Sequence, residues 1–228
     1  MWISNPPYTS QLMIEKIKEE LAKTNTTLVA VSKTKPVSSI QDMYDKGQRI
    51  FGENRVQECV EKYELLPKDI DWHVIGHLQT NKVKYIAPFV SMIHSVESEK
   101  LLKEINKQAK RQERVISCLL QFKIASEATK FGFNQDDAIK LLNSETLKKM
   151  KNIRIVGVMG MASFTHNKVQ VRQEFQRLKE IFDFLKKNSF EGNSEFKEIS
   201  MGMSGDYQLA IAEGSTMVRI GSLLFGSR

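Results

Sequence analysis

An alternation along the chain constrains its fold more than any other feature. Short apolar runs are each followed by a longer stretch with apolar residues at helical spacing, and the pair recurs eight times. The runs lie at about residues 27–32, 49–51, 72–75, 91–94, 115–122, 153–158, 198–200 and 218–220. The stretches between them are amphipathic. Val56, Cys59, Val60 and Tyr63 fall at i, i+3, i+4 and i+7, and Val171, Phe175, Leu178, Phe182 and Leu185 recur at steps of four and three. Strands that are apolar throughout are buried on both faces, and strands alternating with helices form parallel sheets. Eight such units in 228 residues predict an α/β fold, a single (β/α)8 TIM-type barrel with an extra N-terminal helix over residues 8–24. An open doubly wound sheet is the competing arrangement. No linker or low-complexity tract interrupts the pattern, so residues 1–228 read as one barrel domain.

Punctuation fits this reading. Pro36 suits a first helical turn and Gly47 the position after a last one, while Asn134 precedes Asp136 and Asp137 as an N-cap. No apolar run is long enough for a membrane span, and residues 1–10 lack the basic start and apolar core of a secretion signal. Cys59 and Cys118 stand alone, which predicts a reduced, cytoplasmic protein. The net charge of +7 is spread over helix surfaces, where Lys100, Lys103 and Lys107 interleave with Glu99 and Glu104. That is a solvated helix face rather than a nucleic-acid stripe.

In a barrel of this kind, chemistry is done by residues just past the C-terminal ends of the strands. Lys33 follows the first run, Asn54 the second, His77 the third and Ser95 the fourth. Lys123 and Lys130 follow the fifth, and Met161 and Ser163 the sixth. Ser200, Met201, Gly202 and Ser204 lie at the seventh, and Arg219, Gly221 and Ser222 at the eighth. Barrel phosphate sites are often built from the last two loops, where serine hydroxyls and glycine backbone can cradle an anion. A lysine opposite such a cradle is the layout that holds an aldehyde with a phosphate tail, through a Schiff base. Singly, each feature has an ordinary explanation: a rim lysine, a plain Gly/Ser loop, a solvated histidine. Arg219 is the exception, because a charge within Met217-Val-Arg-Ile220 needs a buried partner or a wet cavity.

Six segments then resemble one family: LVAVSKTKP (28–36), GQRIFGENRVQE (47–58), WHVIGHLQTNK (72–82), SEATKFGF (126–133), VGVMGMASF (156–164) and SMGMSGDYQLAIAEGSTMVRIGSLLFGSR (200–228). The chain resembles the YggS/PROSC family of pyridoxal phosphate homeostasis proteins. The resemblance implies a barrel like the N-terminal domain of alanine racemase, carrying pyridoxal 5'-phosphate (PLP). It implies that Lys33, not Lys35, forms the covalent aldimine with PLP, that Asn54 lies near the ring, and that Arg219 faces the pyridine nitrogen. Ser200, Ser204, Gly221 and Ser222 are implied phosphate contacts; His77 and Met201, at the ends of the third and seventh strands, complete the expected set. Ser222 stands where the family often has threonine, which keeps the hydroxyl. Lys123 stands where asparagine is expected, and adds a second amine near the rim.

An arginine cannot take the ring proton that a carboxylate would hold in place, so the ring is a weaker electron sink. Racemases of this fold also use a tyrosine from a second domain of a partner subunit, as the resemblance implies, and no second domain is expected within this sequence. The leading expectation is therefore a monomeric protein that buffers or carries PLP without robust turnover, with PLP-dependent apo-enzymes as recipients. The alternative is a racemase-like enzyme of low activity, with His77 or Tyr207 as second base. A Schiff-base aldolase acting on a sugar phosphate is the reading from the barrel alone.

Overall fold

A strand that is apolar on both faces has to be covered on both. Here helices cover the outside and packed side chains fill the inside. The computed structural model describes residues 8–126 and 131–226. The strands are β1 (Thr27–Val31), β2 (Ile50–Glu53), β3 (Asp71–Val74), β4 (Met92–Val96), β5 (Ile116–Phe122), β6 (Ile153–Gly160), β7 (Glu198–Met203) and β8 (Met217–Ile220). They pair in chain order and β8 returns to β1, so the sheet closes into a barrel. The closing pair is parallel, with Thr27 opposite Met217 and Val29 opposite Arg219. The open-sheet alternative is thereby excluded, and the expected (β/α)8 barrel is present.

The helices are α1 (Tyr8–Ala22), α2 (Val37–Asp45), α3 (Val56–Leu65), α4 (Val83–Ile86), α5 (Glu99–Arg111), α6 (Gln135–Leu142), α7 (Glu145–Lys148), α8 (Lys168–Asn188), α9 (Tyr207–Ala212) and α10 (Ser222–Phe225). Their starts follow local chemistry. Asn134 accepts the Asp137 N–H at 2.8 Å, and Ser98 accepts the Leu101 N–H at 3.2 Å. Gly47 leaves α2 with φ +81°, the left-handed exit expected of it. The single helix expected after β5 is in fact two, because Ser144 caps a new turn through the Leu147 N–H.

Alternation along each strand divides the core. Val74, Ile93, Leu120, Val158 and Ile199 face outward and pack with Leu102, Ile105, Phe175 and Leu185 of the helices. Ile14, Ile17 and Leu21 of the extra helix α1 pack with Leu28, Phe51, Trp72 and Ile220. Inside the barrel, Leu119, Val156 and Met159 form a small apolar cluster. The alternate positions between outward residues carry buried polar side chains: His73, His94, Gln121, Ser200 and Arg219. The interior is thus unusually polar, and those residues lead to the site.

Gly202 shows how closely the outer layer fits. It has φ +95°, and a Cβ there would lie 2.6 Å from the Ala210 Cβ on α9. Gly202→Ala is expected to destabilise the fold by about 2–4 kcal/mol, through overpacking and a left-handed backbone together. Gly205, whose Cβ position has nothing within 4 Å, is the control. Urea unfolding should show Gly205→Ala within about 0.5 kcal/mol of wild type.

Candidate functional site

The C-terminal strand ends open on a cavity of about 530 Å³ lined by Lys33, Asn54, His77, Ser204, Arg219, Gly221 and Ser222, among others. Its first wall is the turn after β1. Thr34 there has φ +64°, a strained value for a β-branched residue. The neighbours hold it in place. The Thr34 N–H donates to the Glu58 carboxylate, and the Lys35 N–H to the Ser32 carbonyl at 3.0 Å. Behind the turn, the buried Lys62 ammonium donates to the Ser32 carbonyl (2.7 Å), Glu53 Oε1 (2.7 Å) and Glu58 Oε1 (2.6 Å). The Ser32 hydroxyl donates to the same Glu53 oxygen at 2.6 Å. Burial pushes the Glu53 carboxyl up, while Lys62 and Ser32 pull it back.

This framework presents Lys33 to the cavity, and no described residue hydrogen-bonds or pairs with its ammonium. Lys35 differs. Its Nζ donates to the carbonyls of Phe225 and Gly226, at 3.1 Å each, and ties the turn to α10.

The far wall comes from the loops after β7 and β8. Ser204, Gly205, Gly221 and Ser222 line it, and the Gly221 N–H donates to Ser204 Oγ at 3.2 Å. Asn54 lines the cavity beside β2. Gly76 lets the β3 loop close on it, since a Cβ at Gly76 would sit 2.7 Å from the Asn54 carbonyl oxygen. His77 stands at the mouth with Nδ1 3.0 Å from Glu97 Oε1, and its ring stacks on Phe131 at 4.5 Å between centroids.

Arg219 belongs to the cavity floor and is only 3% exposed. Its Nη1 donates to Ser200 Oγ at 2.6 Å and its Nη2 to the Gly160 carbonyl at 3.0 Å. Ser200 Oγ also lies 2.9 Å from His94 Nδ1, and His94 Nε2 lies 2.9 Å from His73 Nδ1. An arginine can only donate, so Ser200 accepts from Arg219. Among the described residues the only other partner of the Ser200 hydroxyl is His94 Nδ1, so its hydrogen goes there. Neutral His94 then carries its hydrogen on Nε2 and donates to His73. Burial holds His73 down to about 3 and His94 well below the usual histidine range, so both stay neutral. Burial also pulls the Arg219 guanidinium down to about 10, against the attraction of Asp206, and it remains cationic at neutral pH. Among the described residues, no carboxylate is in ion-pair contact with it.

Several expected positions are corrected. Met201 is fully buried on the outward face of β7, in the core under the helices, and does not line the cavity. Ser200 lies below the cavity rather than in it, its hydroxyl committed to Arg219 and His94. Tyr207 turns away from the cavity; burial, and then its donation to Glu20 Oε2 of α1 at 2.8 Å, raise its phenol to about 12. Ser163 is held by Glu174 of α8, and Ser95 is sealed in the interior. Lys123 is exposed and outside the cavity wall. Lys130 lies outside the described residues.

His73, His94, Glu97, Gln121 and Phe131 escaped the sequence reading. The two histidines carried the signal that singled out Arg219: a polar residue within an apolar strand. The arrangement as a whole is an amine facing a buried cation and a hydroxyl-rich glycine cradle, across a space that admits a small aromatic molecule with an anionic tail.

Comparisons with known proteins place the chain in a family. The family model described as alanine racemase, N-terminal domain, matches residues 13–228. A pyridoxal phosphate homeostasis protein of Aquifex aeolicus is 42% identical over 202 residues, covering 88% of this chain and 86% of that one. Its counterpart in Schizosaccharomyces pombe is 34% identical, covering 95% and 90%. The chain belongs to the pyridoxal phosphate homeostasis protein family. Among solved structures, PipY of Synechococcus elongatus with PLP bound aligns at a TM-score of 0.86 and 32% identity, covering 95% of this chain and all of that one. Alanine racemase of Clostridium difficile shares the fold at a TM-score of 0.76 and 15% identity, and this chain spans 60% of its length.

In this member of the family, the buried histidines link stability to pH. Between about pH 3 and about pH 6.5 the unfolded chain binds protons that folded His73 and His94 refuse, so stability rises with pH across that window. Each histidine contributes a slope approaching about 1.4 kcal/mol per pH unit. His94→Gln replaces one of them with a neutral amide able to accept from Ser200 and donate to His73. Urea unfolding at stepped pH should show a shallower slope for this variant than for wild type.

Proposed function

We propose that the cavity binds PLP and that the protein holds and releases this cofactor rather than turning over amino acids. The observation that carries the reading is Lys33: an amine with no partner among the described residues, held in a strained and braced turn on the wall of a cavity floored by a buried cation. The residues fit the ligand. Arg219, a cation without ion-pair contact among the described residues, matches an anionic molecule with a ring acceptor. Ser204, Ser222 and the Gly205 and Gly221 backbone suit a phosphate. The names of the relatives and the PLP-bound PipY structure support the same ligand.

When bound, PLP supplies an aldehyde that condenses reversibly with an amine and a ring that withdraws electrons. Lys33 Nζ would be the amine that tethers it, and Asn54 would border the ring. Arg219, held by Ser200 and Gly160, would offer a hydrogen to a ring nitrogen and could not take a proton from it. A ring nitrogen facing a fixed cation would stay unprotonated, which favours holding over carbanion chemistry. PLP-dependent apo-enzymes are the recipients we infer, and the protein acts as a monomer in the cytoplasm. Two free buried cysteines fit a reducing compartment, and among the described residues no helix is long and apolar enough to cross a membrane.

A racemase-like activity of low rate is the second reading, favoured by the titratable His77 at the cavity mouth. α-Deuterium incorporation into a panel of amino acids distinguishes the two; rates well above those of PLP in solution would establish turnover.

Lys33→Ala is expected to abolish the absorbance band of the lysine-linked cofactor and its fixation by borohydride. The unloaded variant should unfold within about 0.5 kcal/mol of wild type. A band that persists, with peptide mapping to Lys35 or Lys123, would make Lys33 the wrong lysine.

A further inference from the structure

We propose that His77, backed by Glu97, carries protons between Lys33 and an incoming primary amine, so that the site passes its ligand on instead of only storing it. The proposal rests on the reading of the cavity as a PLP site.

The geometry suits an oriented base. His77 Nδ1 lies 3.0 Å from Glu97 Oε1, and a carboxylate there can only accept. The contact favours the neutral tautomer with its hydrogen on Nδ1 and its lone pair on Nε2, which the tautomer measurement below reads. Phe131 fixes the ring plane by stacking at 4.5 Å and 23°. No described residue bonds Nε2, and His77, Glu97 and Phe131 line the same cavity as Lys33. The second Glu97 oxygen is buried without a partner, so His77 is the group that this carboxylate serves. When the imidazole takes a proton, the counter-charge is already in contact.

Among the described residues, these other titratable groups near the cavity are committed elsewhere. Lys35 donates to the Phe225 and Gly226 carbonyls, and Asp206 accepts the Met203 N–H on the Ser204 side. Tyr207 is bound to Glu20 on the outside. His73 and His94 are sealed in the interior, 4% and 0% exposed.

Transfer needs such a group because of where protons reside. A primary amine in neutral water is an ammonium ion with no lone pair. It must lose one proton before its nitrogen can bond the carbon that Lys33 holds. With both nitrogens on that carbon, a second proton must pass from the incoming nitrogen to Lys33 Nζ, so that the carbon's bond to Lys33 breaks and Nζ leaves as an amine. His77 Nε2 takes the first proton, relays the second, and returns the first to the freed Lys33 amine. The incoming nitrogen has lost two protons and Lys33 has gained two, so one ammonium is consumed and one produced, with no oxidant or reductant and no change in net charge.

The test uses the full chain loaded with PLP, mixed with n-butylamine and followed by stopped-flow absorbance, with exchange read per loaded site. His77→Gln should slow exchange by about 100-fold, the usual scale of a positioned acid–base group. Added imidazole should restore part of the rate in His77→Gln and none in Lys33→Ala, and Glu97→Gln should fall between wild type and His77→Gln. In the unloaded protein, nitrogen NMR should report the Nδ1–H tautomer of His77, with that preference lost in Glu97→Gln. Equal exchange rates in wild type and His77→Gln, or a missing Nδ1–H tautomer in wild type, overturn the role of His77. A wild type that takes up no PLP overturns the binding reading itself.

Discussion

The structure is organised around one buried charge. Arg219 lies inside the barrel, where an uncompensated cation is unfavourable by several kcal/mol. Its neighbours satisfy its hydrogens without cancelling its charge: a serine hydroxyl, a glycine carbonyl and, behind the serine, two neutral histidines. The chain from Arg219 to His73 has a single direction, because its first member cannot accept and, among the described residues, the Ser200 hydrogen has only His94 to go to. Such chains polarise each member in turn. The remaining positive potential is directed at the cavity, on the same floor that the glycine and serine loops overlook.

Lys62 shows the opposite solution. It too is a buried cation, but it pairs with Glu53 and Glu58, so its charge is spent on structure. What it stabilises is the turn that carries Lys33, including the left-handed Thr34. The two buried cations thus divide the work. One is neutralised and braces the turn of Lys33, and the other has no ion-pair contact among the described residues and faces the cavity.

Much of this was legible before the fold was seen. Period and length gave eight strands and the helices between them, and strand-end logic gave Lys33, Asn54, His77, Ser204, Arg219, Gly221 and Ser222, all of which line the cavity. The misreadings have a common cause. Met201 and Ser200 read as strand-end residues in the sequence, yet β7 runs on to Met203, which leaves both within the strand and on opposite faces. His73 and His94 each read, alone, as a lone polar residue. Their meaning depends on register: His94 meets Ser200 across 106 residues of sequence, and only barrel closure brings those strands together. The role of Tyr207 failed for the same reason, since the face of a short helix that meets α1 cannot be read from spacing.

Closure has one more effect. Lys33 follows the first strand, while the glycine and serine cradle follows the last two, and the β1–β8 pairing joins them. The site therefore has almost the longest contact order the fold allows. No fragment lacking the eighth strand contains both halves of it, and a nascent chain acquires it only after the final strand has been made and has docked. A ligand that spans β1 and β8 acts as a staple across the last seam to form, and binds the closed barrel in preference to every partly assembled state. Occupancy of the site then reports completed folding as well as ligand supply.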